Sequence, residues 1–125
     1  MTENEIATVV VDAAFRMHTT LGPGLLESVY QAVMIHELKR RGLTVESEVP
    51  VPVVWEGLRL EVGFRADVVV ERKLIIELKS VEAVAPVHPK QLRTYLRLTN
   101  CKLGLLINFN VSLIKDGITR VVNGL

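Results

Sequence analysis

From Asn4 to Leu21 the apolar residues recur with a helical period. Ile6, Val10, Ala13 and Met17 fall at i, i+4, i+7 and i+11, one stripe on one face. "LGPG", Leu21 to Gly24, ends the pattern, because Gly and Pro together break a helix. A second helix is predicted from Leu25 to Arg41, with Leu26, Val29, Val33 and Leu38 on its apolar side and Gly42 as its stop. The period then falls to two. In "TVESEVPVPVVW", Val45, Val49, Val51, Val53 and Trp55 share one parity and predict a strand. Pro50 and Pro52 lack N–H donors on the same side of that strand, so it belongs at a sheet edge. Glu56-Gly57 reads as a tight turn and Leu58 to Val70 as a long second strand. Glu71-Arg72-Lys73 reads as a short turn into a third strand, Leu74 to Lys79.

After Ser80 the stretch "VEAVAP" reads as a loop. "HPKQLRTYLRLTN" predicts a helix, with Pro89 in its first turn and Leu92 and Leu96 at i, i+4. "KLGLLINF" is a continuous apolar run, fit for a central strand buried on both faces. "DGITRVVN" predicts a weaker last strand. The predicted order is α-α-β-β-β-α-β-β, an α/β chain with neither repeat nor linker. One domain over residues 1–125 is expected.

Composition narrows the function class. The apolar fraction of 49% argues against disorder. No apolar run approaches the ~20 residues of a membrane helix. The acidic start "MTENEIATVV" lacks the basic region of a signal peptide, so a cytoplasmic protein is expected. A single cysteine, Cys101, excludes an internal disulfide or a multi-Cys zinc site, and a small buried hydrophobe is its expected state. A net charge of +1 gives no compositional support for a strongly basic nucleic-acid binder, although a local patch can be basic.

The candidate chemistry sits on the second and third strands. "ERKLIIELKS" sets Glu77 and Lys79 into an apolar strand, and residues two apart share a face. Asp67 is the carboxylate of the preceding apolar strand. If Glu71 to Lys73 form a three-residue loop, Val70 pairs with Leu74 and Asp67 falls opposite Glu77. A two-residue loop would break this. Facing carboxylates repel, so a cation must compensate. Lys79 is one candidate, and a hard divalent metal is another. The three residues read equally well as an ion-pair network or as a functional cluster.

Two helices carry further groups. Gly24, Glu27 and Tyr30 in "GLLESVY" are spaced by three, so Glu27 and Tyr30 share a helical face. His88, Gln91 and Tyr95 also fall on one face. Taken alone, Glu27 is a carboxylate suited to a first helical turn, Tyr30 and Tyr95 are core-edge aromatics with wet hydroxyls, Gln91 is a surface residue and His88 a loop residue. Lys39, Arg40 and Arg41 close the second helix, and Lys90, Arg93 and Arg97 form a stripe on the third. Either set reads as a phosphate-binding surface or as a solvated face.

"DVVVERKLIIELK" resembles the core signature of the PD-(D/E)XK nuclease superfamily, an Asp on one strand and Glu-x-Lys on the next. "GLLESVY" resembles the motif that names its GxxExxY family, and "QLRTYL" and "LGLLINFN" are similar to that family too. Ala66 stands where the superfamily often has Pro. The resemblance implies a restriction-endonuclease-like core, a mixed β-sheet flanked by helices, here with an extra amino-terminal helix. It implies Asp67, Glu77 and the Leu78 carbonyl as ligands of Mg²⁺ or Mn²⁺. It implies Lys79 as the residue that positions water, Glu27 as a helix-borne acid completing the site, and Gln91 and Tyr95 as contacts to phosphate or water. The implied activity is metal-dependent hydrolysis of DNA or RNA. The alternative is a catalytically silent nuclease-like module that binds a protein or nucleic-acid partner. So small a domain has little room for an extended footprint and invites a homodimer, with the first helix or last strand as its surface.

Overall fold

The computed structural model describes Met1–Leu125. Its elements are α1 (Glu3–Leu21), α2 (Glu27–Arg40), β1 (Val45–Trp55), β2 (Leu58–Val70), β3 (Leu74–Lys79), α3 (Val87–Thr99), β4 (Leu103–Asn108), a 3₁₀ turn (Ile114–Gly117) and β5 (Ile118–Val122). The strands form one mixed sheet in the order β1-β2-β3-β4-β5. All neighbours are antiparallel except β3 and β4, which are parallel. Parallel neighbours need a long crossover, and α3 supplies it. β1 lies at an edge, as Pro50 and Pro52 require.

α1 starts on a capping box, in which the Thr2 hydroxyl accepts from Glu5 N–H and the Glu5 carboxylate from Thr2 N–H. The predicted stripe of Ile6, Val10, Ala13 and Met17 is buried. With α2 it covers one face of the sheet, over Val68, Val70, Leu74, Ile76 and Leu78. α3 covers the other face, where Leu92 and Leu96 pack on Ala66, Ile75 and Leu106. Gly104 permits the close approach of α3, because a Cβ there would lie 2.9 Å from Leu92 Cγ. Every residue of β4 is buried, as a central strand demands.

Two details differ from the periodicity. In α2 the buried residues are Tyr30, Met34 and Leu38, while Leu26 and Val29 are exposed and α2 begins only at Glu27. Tyr30 stacks on Phe109, with ring centroids 4.4 Å apart, and this contact turns the helix. In β1 the shared parity does not give a shared face. Val45 packs in the core beneath α1 and α2, whereas Val49 packs against the core beneath α3. Glu48 lies between them with φ +50°, a left-handed conformation costly for a residue with a Cβ. β2 changes sides at the matching point: Val68 belongs to the first core, and Ala66 and Phe64 to the second. Asp67 sits at this switch. Beyond it the β1–β2 ribbon extends outward, with Trp55, Leu58, Leu60 and Val62 exposed.

Candidate active site

The turn between β2 and β3 is the three-residue loop the cluster needs. Glu71 and Arg72 both have positive φ, and Lys73 N–H donates to the Val70 carbonyl at 3.0 Å. Val70 therefore pairs with Leu74, and Val68 with Ile76. One step further Asp67 faces Glu77, and there the regular ladder stops. The Asp67 carboxylate takes over as acceptor: its Oδ2 receives Leu78 N–H at 2.9 Å. Asp67 N–H in turn donates to Glu77 Oε1 at 3.4 Å. The two carboxylates thus lie between parting strands, each held by the other strand's backbone. A strand residue directs its N–H and C=O to the same side, so the Leu78 carbonyl also faces this gap.

Burial sets the electrostatics. Glu77 is only 9% exposed and Asp67 is half-buried. Burial, then the charge of Asp67, pushes the Glu77 carboxyl up to about 8. Burial also raises Asp67, against the pull of its Leu78 hydrogen bond. Near neutrality the metal-free pair shares a proton. The Tyr95 hydroxyl is raised too, first by burial and then by the negative charge of Glu77 and Asp67. Its ring stacks on Phe64, centroids 3.6 Å apart. Tyr95 thereby belongs to the surroundings of the pair.

Lys79 makes no direct ion pair with the carboxylates, although its charge pulls both of them downward, the weakest of the influences on either. None of the ion pairs in the chain includes Lys79, Asp67 or Glu77. The ion-pair network admitted by the sequence is therefore absent. A buried and a half-buried carboxylate with no cation in direct contact form a donor set that fits a hard divalent ion. No third His, Cys, Asp or Glu side chain joins them in a metal-holding group. An ion held there would complete its shell with a backbone carbonyl, substrate oxygens and water, the habit of Mg²⁺.

The remaining predicted residues take separate positions. Glu27 is exposed at the start of α2, and its Oε2 accepts from Ser80 N–H at 3.4 Å. It reaches the chain just past Lys79, not the carboxylate pair. It lines a hollow of about 550 Å³ with Gly24, Ser28, Ser80 and Asn110. Gln91 is exposed one turn before Tyr95 and forms no hydrogen bond with Asp67 or Glu77. Arg40 and Arg41 are engaged by Glu37, and Arg41 also by Asp12, whereas Lys39 is exposed and in none of the ion pairs.

Tyr30 is not wet. It is fully buried, donates to the Gly22 carbonyl at 2.6 Å and accepts Leu25 N–H at 3.1 Å. It pins the loop that carries Glu27. Tyr30→Phe leaves both backbone groups unpaired and is expected to cost roughly 1–3 kcal/mol in urea unfolding. Asn108 does similar work beyond β3: its side chain bonds Val81 N–H and C=O at 3.1 and 2.9 Å.

Sequence reasoning missed Gln31 and Glu48. The Gln31 amide donates to the Asp67 carbonyl at 2.9 Å and to Glu48 Oε1 at 2.8 Å. The Glu48 charge adds to the upward shift of Asp67. Gln31 lies one helical turn after Glu27, which was a usable signal. The left-handed Glu48 left none.

The fold has a solved counterpart. The crystal structure of SSO0001 superposes with a TM-score of 0.59 at 21% identity, over 98% of this chain and 60% of that one. This chain thus spans about 60% of the length of its counterpart. It matches no curated protein. Residues 4–121, nearly the whole chain and all of the parted strands, match the PD-(D/E)XK nuclease superfamily, and the chain belongs to it.

Proposed function

We propose that the protein is a metal-dependent nuclease of the GxxExxY type that hydrolyses phosphodiester bonds of DNA or RNA. The observation that carries this reading is the facing pair of buried Glu77 and half-buried Asp67, with no cation in direct contact with either. The superfamily generally uses divalent metals and implies a nucleic-acid substrate. A buried, free Cys101 fits a reducing, cytoplasmic setting. No helix is long and apolar enough to cross a membrane.

Asp67, Glu77 and the Leu78 carbonyl would hold Mg²⁺ or Mn²⁺. When bound, the ion polarises the scissile phosphate and makes water more acidic. Hydrolysis forms a bond from the water oxygen to phosphorus and breaks the bond to the leaving sugar oxygen, which takes a proton. Lys79, beside the pair and free of ion partners, orients the attacking water and stabilises the charge that grows on the phosphate. Tyr95 offers its hydroxyl to the phosphate or the water. Gln91, one turn earlier on α3, reaches the substrate rather than the metal. Glu27 holds the backbone after Lys79 and helps to place water.

Calorimetry with Mn²⁺ and cleavage of mixed nucleic acids test the reading together. Wild type is expected to bind and cut, and Asp67→Ala to lose both. Absence of binding and of cleavage in the wild type would leave the silent binding module as the better account.

A further inference from the structure

The stripe of Lys90, Arg93 and Arg97 is exposed and lines an open groove. The groove, about 460 Å³, runs between α3 and β5 and is lined by these cations with Pro89, Thr94 and Thr119. It contains no carboxylate. Arg120 touches it too, but its guanidinium donates to Asn4 at 2.7 Å on the α1 side and is not counted. None of the three cations takes part in an ion pair. Like charges gathered in a concave strip repel one another and raise the local affinity for an anionic ligand. The Thr119 hydroxyl and the outward N–H groups of edge strand β5 add neutral donors of the kind phosphate oxygens accept, whereas the Thr94 hydroxyl donates to the Lys90 carbonyl at 3.2 Å. No aromatic side chain lines the groove, so it offers no surface for stacking a base.

Tyr95 lies two residues from Arg93 and from Arg97, on the other side of α3. The groove is thus separated from the carboxylate pair by the thickness of a helix, ~10 Å. We propose that the α3–β5 groove binds the phosphate backbone of a nucleic acid, independently of base sequence, at a position several nucleotides from the bond that is cut. The link to cutting rests on the nuclease reading. The binding itself does not.

The test is fluorescence anisotropy with a labelled single-stranded oligonucleotide of about 12 nucleotides. Excess EDTA prevents cleavage, and salt is varied. Arg93→Ala/Arg97→Ala is expected to weaken binding about tenfold or more at low salt. It should also lower the slope of log K against log salt by about 1.4, for two phosphates on a single strand. Lys102→Ala/Lys115→Ala, which removes two exposed cations elsewhere, should leave that slope nearly unchanged. The groove assignment is overturned if the control pair matches the groove pair, if the groove pair has no effect, or if wild type does not bind. Groove-dependent binding by a protein that never cleaves with Mn²⁺ would uphold the groove and remove the nuclease. Cleavage with groove-independent binding would do the reverse.

Discussion

Glu77→Gln is expected to make the metal-free protein more stable at pH 8 and to abolish both Mn²⁺ binding and cleavage. The sign follows from the raised carboxyl. In the unfolded chain Glu77 titrates near its ordinary 4.5, and in the fold near 8. Between these values the folded state keeps a proton that the unfolded state has lost. The contribution of Glu77 to stability is therefore full below pH ~4.5, is lost as pH rises through ~8, and levels off above. The loss is on the order of a few kcal/mol. Glutamine is neutral at every pH and keeps an oxygen to accept Asp67 N–H. The variant should thus melt several degrees above wild type at pH 8 and close to it at pH 5, by calorimetry without metal. Mn²⁺ should raise the melting temperature of wild type at pH 8 and leave Glu77→Gln unmoved, since a cation bound by the ionised pair displaces the shared proton. A variant less stable than wild type at pH 8 would mean that Glu77 is structural and its burial already compensated.

The site's legibility divides along a physical line. The register that sets Asp67 against Glu77 was readable up to the choice of loop length, and the three-residue turn of Glu71 to Lys73 settles it by pairing Val70 with Leu74. The edge position of β1 was readable because Pro50 and Pro52 cannot donate to a ladder. Both are local rules of the backbone. Three features were not local. Tyr30, and not Leu26 or Val29, faces the core because Phe109, 79 positions later, stacks on it. The face switch at Glu48 and Asp67 reflects a left-handed backbone that no glycine announces. The lack of an ion partner for Lys79 depends on where its long side chain lies, and the alternation of a strand gives only the face. That lack of a direct partner is what favours the proposed metal pair over a structural network, and it is not visible in the sequence alone.

Lys79→Ala is expected to remove cleavage, by a factor of about 10² to 10³ or more, while Mn²⁺ affinity and stability stay near wild type. Its backbone is secured without the side chain: Lys79 pairs with Asn108 across the parallel β3–β4 ladder, and its carbonyl accepts Phe109 N–H at 2.9 Å. The residue is half-buried and its ammonium bonds to no carboxylate, and its charge is the smallest of the influences on Asp67 and Glu77, so its loss breaks no ion pair. A structural lysine behaves differently. Removing one member of a buried ion pair costs ~3–5 kcal/mol because the partner is left uncompensated. Melting temperature and single-turnover cleavage, measured on the same preparation, therefore separate the two roles. Unchanged melting with lost turnover assigns Lys79 to the phosphate and water. Lowered melting with retained turnover assigns it to the fold, and the carboxylates would then act without it.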